Sequence, residues 1–204
     1  MIGIIDYGMV NTGSILNMLK KIGVDQVRVV EEAKQLEDLT KIILPGVGAF
    51  DAAMEAINQR NLARPLRELV MEQKTPILGI CLGMQILGKA SEEGTLEGLG
   101  LVDAVCKKLP SHLCEKVPHM GWNYAKEIKP SALTPKAKEL RFYHVHSYYM
   151  ECKDPSDILF QANYGLDFTT GIEKENIVAV QFHPEKSHQN GMELLENFVK
   201  RFAQ

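Results

Sequence analysis

Four short runs of the chain carry β-branched apolar residues without alternation: Ile2 to Ile5, Val27 to Val30, Ile42 to Leu44 and Ile77 to Ile80. A strand with one face in water alternates apolar and polar residues, whereas a strand covered on both faces does not. Between the runs, Ile15, Met18, Leu19 and Ile22 recur at i, i+3, i+4, i+7, and so do Phe50, Ala53, Met54 and Ile57. That period is the stripe of an amphipathic helix. Strand, helix, strand, helix predicts a parallel sheet with right-handed crossovers and helices on both faces. In such a sheet the binding crevice lies at the carboxyl ends of the strands, so functional residues are sought there.

After about residue 106 the texture changes. Lys107 to Pro118 and Lys126 to Glu139 are rich in Lys and Pro and read as loops, while Phe142 to Met150 and Ile177 to Phe182 read as partly antiparallel strands. Leu195, Phe198, Val199 and Phe202 give a final helix. At 204 residues with 45% hydrophobic composition, the chain is long enough to bury a sizeable core. No linker or repeat divides it. The expectation is one α/β domain over residues 1–204, with a mostly parallel central sheet flanked by helices and an antiparallel extension.

With 23 basic and 26 acidic residues the formal charge is −3, which speaks against a polybasic nucleic-acid or membrane surface. The longest uncharged apolar run, Pro76 to Met84, is far short of a membrane span, and Met1 leads into Ile2 to Ile5 without a basic leader. A soluble, cytoplasmic protein is expected. Cys81, Cys106, Cys114 and Cys152 form no C-x-x-C pair, and His144 and His146 lack further ligands at metal spacing, so neither disulfides nor a metal site is expected.

The run from Pro76 to Leu87 is a buried strand ending in Gly79-Ile80-Cys81-Leu82-Gly83 before a helical pattern. Flanking glycines around a nucleophile permit a sharp strand-to-helix turn that presents one side chain above the sheet. Here that side chain is a thiol, and a helix N-terminus favours its thiolate. A lone cysteine is more often a buried small hydrophobe, but two glycines after a strand reverse those odds. A thiol nucleophile needs a base and the base an orienting group. His183 ends the strand from Ile177 to Phe182, and Glu185, two residues on across Pro184, points the same way. Donors for an oxyanion would be the N–H of Leu82 and one from Pro45-Gly46-Val47-Gly48 at another strand end. That second stretch matches neither a phosphate loop nor a dinucleotide fingerprint.

These residues resemble a known family. The Cys81 elbow in GICLGMQ, the segment Gln181 to Glu185 and the order Cys, His, Glu are similar to the class I, triad-type glutamine amidotransferases. Within that family, IIDYG at Ile4 to Gly8, LPGVGAF at Leu44 to Phe50, PHMGWN at Pro118 to Asn123, VHSYY at Val145 to Tyr149 and FHPEKS at Phe182 to Ser187 resemble the glutaminase subunits of imidazole glycerol phosphate synthase. The resemblance runs the length of the chain. It implies a flavodoxin-like fold and hydrolysis of glutamine through a γ-glutamyl thioester, with ammonia channelled to a (β/α)₈-barrel cyclase in a heterodimer of histidine biosynthesis. No cofactor is implied.

Carried over residue by residue, the resemblance makes Cys81 the nucleophile, His183 the general base and then acid, and Glu185 the orienting carboxylate. Gly46, Val47 and Gly48, with Leu82, would form the oxyanion hole, a peptide of that segment turning when the partner is active. Gln85 and Glu93, with the backbone at His146 and Ser147, would hold glutamine, and Trp122, Asn123, Tyr143 and Lys186 would face the synthase. One departure stands out. The family continues with Gly-Asn after Tyr7-Gly8-Met9, whereas this chain has Val10, Asn11 and Thr12, so the loop after the first strand is expected to take a different path. Alternatives are a paralogous subunit supplying ammonia for an amidino sugar of bacterial surface polysaccharides, a glutaminase of vitamin B6 synthesis, a partner-independent cysteine hydrolase of glutamyl compounds, and a non-catalytic binding module.

Overall fold

The computed structural model describes residues 1–203. The expected domain runs to 204, and Gln204 lies outside the described residues. The first four strands fall where the apolar runs predict: β1 (Ile2–Ile5), β2 (Val27–Val30), β3 (Lys41–Gly46) and β4 (Ile77–Cys81). Between them lie α1 (Thr12–Lys21) and α2 (Phe50–Gln59), then α3 (Ala63–Arg67) running into a π-helical stretch, Glu68–Glu72. After β4 come α4 (Leu82–Ile86) and the strands β5 (Ala90–Ser91), β6 (Ala104–Lys108), β7 (His119–Tyr124), β8 (Lys126–Glu127), β9 (Arg141–His146) and β10 (Tyr148–Cys152). The hairpin of β11 (Ile158–Asn163) and β12 (Asp167–Lys174), then β13 (Ile177–Val180) and α5 (His188–Lys200), complete the described strands and α-helices.

The main sheet has the order β2-β1-β3-β4-β13-β12-β10-β6-β5. From β2 to β13 every pairing is parallel, and β12 and β10 continue the sheet antiparallel. The absence of alternation follows from burial on both faces. On one side Ile42, Leu44 and Ile77 meet Phe50, Ala53, Met54 and Ile57 of α2. On the other, Ile43, Leu78, Val178 and Val180 meet Ile15 and Leu19 of α1 and Leu194, Leu195 and Phe198 of α5. Successive residues of a strand point to opposite faces, so the central strands need apolar residues on both sides. The edge strand β2 departs from the expectation: Arg28 interrupts its apolar run, and Val27, Arg28 and Val29 are only half-buried.

The second half departs from the expectation in detail. The run from Phe142 to Met150 is not one strand: it breaks at Ser147, β9 pairing with β7 in a separate two-stranded sheet while β10 joins the main one. Lys107 and Lys108 end a strand rather than a loop, and Lys126 and Glu127 pair with β11. No helix among the described residues is long and apolar enough to cross a membrane.

Candidate active site

Cys81 ends β4 with φ 56° and ψ −111°, a strained backbone for a residue with a side chain. The two glycines of the motif are needed for different close approaches. A Cβ at Gly83 would lie 1.7 Å from the carbonyl oxygen of Leu44, and one at Gly79 would lie 2.7 Å from Leu87 Cδ1 and 2.9 Å from the Gly83 carbonyl. The helix that follows is only five residues long, so its dipole is weaker than the sequence suggests. The charge partner of the thiol is a side chain instead.

That side chain is His183, which follows β13, the parallel neighbour of β4. Its N–H donates to Tyr143 O (2.9 Å), and Ser187 Oγ donates to its carbonyl (2.6 Å) while accepting from Tyr143 N–H (2.9 Å). The turn Pro184–Lys186 brings Glu185 under the ring, with Nδ1 2.7 Å from Oε1 and both side chains buried. The carboxylate holds Nδ1–H and leaves the other ring nitrogen available to Cys81, whose thiol in this arrangement donates to the carbonyl of Val145 (3.8 Å). Burial disfavours the imidazolium, yet the hydrogen bonds and charges of Cys81 and Glu185 outweigh it, raising the His183 pKa to about 9. Gln181, fully buried on the same segment, places Nε2 3.8 Å from Cys81 Sγ. It lies inside the QFHPE motif but was not singled out from the sequence, because a glutamine two residues before a histidine has no chemical signature of its own.

Cys81 and His183 open onto a cavity of about 330 Å³, lined also by Val47, Gly48, Leu82, Gln85, Glu93, His146, Ser147 and Lys186. The residues expected to hold substrate therefore share one wall system with the thiol. Gln85 Nε2 donates to Gln181 Oε1 (3.1 Å) and Tyr148 O (3.4 Å). Glu93 Oε2 accepts from the N–H of Phe50 (2.9 Å) at the start of α2. His146 Nδ1 donates to Tyr148 O (2.9 Å), so its Nε2 accepts from His119 Nδ1 (2.9 Å). Burial and the neighbouring histidine hold His146 at about 3, and burial holds His119 at about 4, so both are neutral where His183 is charged. Among the described residues no His, Cys, Asp and Glu are grouped to hold a metal ion.

At the end of β3, the amide expected as the second oxyanion donor is engaged by a backbone carbonyl. Val47 N–H donates to the carbonyl of Met9 (3.0 Å), and Gly48 takes φ +105° with space for its Cβ closed by Met9 Cε at 2.6 Å. The loop after β1 takes the following form. Gly8 carries the positive φ (92°), Val10 packs on the core, and Asn11 Oδ1 accepts from Ser14 N–H to cap α1.

Of the residues expected at a partner interface, Lys186 lines the cavity, while Trp122, Asn123 and Tyr143 sit on the small β7–β9 sheet, Trp122 opposite Tyr143. Along β7, Met120, Trp122 and Tyr124 are 62%, 37% and 54% exposed on one face. Trp122 stacks on His188 at 5.1 Å and lies beneath the Arg141 guanidinium. Asn123 Nδ2 donates to Asn163 O (2.9 Å). The alternation of large apolar residues on an exposed face was legible in PHMGWNY but was not read as a patch.

A thiol, a charged imidazole and a buried carboxylate at and just beyond the ends of adjacent parallel strands, on the wall of a small cavity, define a cysteine-dependent amide-processing site. The chain belongs to the class I glutamine amidotransferase family, whose model matches residues 3–202. It is 48% identical to "Imidazole glycerol phosphate synthase subunit HisH 2" of Methanococcus maripaludis over 98% of this chain and 100% of that one. It is 46% identical to the protein of the same name in Pseudomonas aeruginosa, over 98% and 99%. "Imidazole glycerol phosphate synthase subunit HisH" of Leptospira interrogans is 44% identical, again over 98% and 99%. Among solved structures, a chain of PurLQS from Thermotoga maritima shares the fold with TM-score 0.74 at 17% identity, over 97% of this chain and 96% of that one.

Proposed function

We propose that residues 1–204 form one glutaminase domain, the subunit of an imidazole glycerol phosphate synthase that supplies ammonia for histidine biosynthesis in the cytoplasm. The observation that carries this reading is the Cys81–His183–Glu185 line at the wall of a cavity about 330 Å³ in volume, in a chain whose full-length relatives bear that name. Cys81 Sγ attacks the amide carbon of glutamine, with Gln85, Glu93 and the backbone at His146 and Ser147 orienting the substrate. The carbonyl electrons move onto oxygen, which needs N–H donors. Leu82 N–H is one; Val47 N–H is the other, and it must first leave Met9 O. Imidazolium at His183 gives its proton to the amide nitrogen as the C–N bond breaks and ammonia departs, leaving a γ-glutamyl thioester. Water then attacks, His183 takes its proton, and glutamate is released as the thiol is restored.

The acceptor chemistry lies on a second chain. A (β/α)₈-barrel cyclase in a heterodimer fits this reading, seated over the exposed Met120, Trp122 and Tyr124 face beside the cavity. Coupling follows from the Val47 bond: acceptor held by the partner turns the Gly46–Val47 peptide and completes the oxyanion hole. The test is glutamate release by this chain mixed with the host's histidine-pathway cyclase, with and without the cyclase's nucleotide ligand, with Cys81→Ala as blank. Strong stimulation that disappears in Cys81→Ala is expected. A free chain that already turns over at full rate, indifferent to the cyclase, would refute the coupling.

A further inference from the structure

Tyr7 lies just past the end of β1 and is 1% exposed, yet its hydroxyl has no hydrogen-bond partner among the described residues. An orphaned buried hydroxyl costs about 1–3 kcal/mol, and phenylalanine would fill the same volume without that cost. The position of the hydroxyl is specific. A Cβ built on Gly46 would lie 2.0 Å from it, with Leu82 Cβ at 3.1 Å and Gly83 N at 3.3 Å from the same point. The phenol therefore reaches across the end of β3 and lies against the α-carbon at which the Gly46–Val47 peptide pivots.

In the present arrangement that peptide gives its N–H to Met9 O. Turning it by about half a revolution sends Val47 N–H toward Cys81 and swings the Gly46 carbonyl to the side the N–H has left. There it meets the Met9 carbonyl, oxygen against oxygen, and both need a proton donor. Resting on the reading that this segment completes the oxyanion hole, we propose that Tyr7 is a positioning residue for it: its hydroxyl donates to the Gly46 carbonyl once the peptide has turned. The orphan of the resting state is then the hydrogen bond of the active one, and the hydroxyl tilts the segment toward activity. Burial, with the nearby charges of Cys81 and Asp6, raises the phenol pKa, so the group stays a donor across the working pH range. Gly46 is glycine because any side chain there would collide with this hydroxyl.

The test compares wild type with Tyr7→Phe, each in the full complex with the cyclase, reading melting temperature, KM for glutamine, and kcat with and without the cyclase's nucleotide ligand. Tyr7→Phe is expected to melt at the same or a higher temperature, to keep KM within about twofold, and to lose about tenfold in stimulated kcat, as one buried hydrogen bond at the active conformation requires. Stimulated kcat equal to wild type overturns the inference, as does a fall in melting temperature with KM and kcat drifting together, which marks a packing role. A wild-type complex without stimulation overturns the partner-coupled reading first, and this inference with it.

Discussion

The ends of β3 and β4 lie side by side, Gly46 paired with Cys81 in register, and both are glycine-rich turns above the same cavity. They are built on opposite principles. The β4 end is over-determined: Gly79 and Gly83 let the backbone close to contact distance on either side of the strained φ of Cys81. The β3 end is held by one backbone hydrogen bond, Val47 N–H to Met9 O, and has a side chain below it with an unmet donor. On the proposed reading the nucleophile is thus preorganised within the chain, whereas the oxyanion hole is left to be assembled: rigidity would sit where the bond is made, and adjustability where the charge is received.

The sharpest way to break this contrast is the same substitution at both ends. Gly83→Ala forces a Cβ onto the Leu44 carbonyl and is expected to cost about 3 kcal/mol or more, read as a fall in melting temperature of roughly 6–12 °C. Gly48→Ala, at φ +105°, is expected to cost only about 1–2 kcal/mol in stability while removing partner stimulation, because it stiffens the segment that must turn. Equal melting losses with stimulation intact would show that the two ends do not differ. Next in size is Glu185→Gln, which keeps the shape but withdraws the charge that supports His183. Wild-type activity should fall as pH rises through about 9, where the imidazolium is lost. In the variant that alkaline limb should move to lower pH and kcat fall about 100-fold, read from a pH–rate profile. The smallest effect separates the two kinds of histidine beside the cavity. His119 and His146 bind protons more readily unfolded than folded, so melting temperature should fall as pH drops from about 6.5 toward 4. The contribution of His183 has the opposite sign: it is present below pH 6.5 and lost through about 9. His183→Asn should flatten the alkaline side of the melting curve alone.

Much of the fold was legible because parallel strands buried on two faces leave a pattern that a local reading can see. Ile2 to Ile5 and Val27 to Val30 begin and end where their residues indicate. The antiparallel half was not legible in the same way. The break at Ser147 is decided by which partner each half-strand meets, His146 pairing with His119 and Met150 with Cys106, and no property of VHSYY states that choice. The triad residues stood out because each carries its own chemistry at a strand end. The state of the Val47 amide could not be read, since it depends on a backbone carbonyl far away in sequence, at Met9. The Tyr7 hydroxyl is a similar case: DYG gives no sign that the phenol ends against Gly46.

On the proposed reading, the Val47–Met9 bond also sets how fast an idle chain would hydrolyse glutamine. One neutral backbone hydrogen bond is worth about 1 kcal/mol net, a population ratio of only about five to one. A catch of that size acting alone would cap stimulation at about sixfold, so on the proposed reading a larger stimulation means that further contacts hold the segment in its resting state. So weak a catch also means that a partner need contribute only a few kcal/mol of differential affinity to throw the segment over. Nitrogen waste in the absence of acceptor, and responsiveness in its presence, are then the same quantity seen from two sides, and neither can be tuned without moving the other.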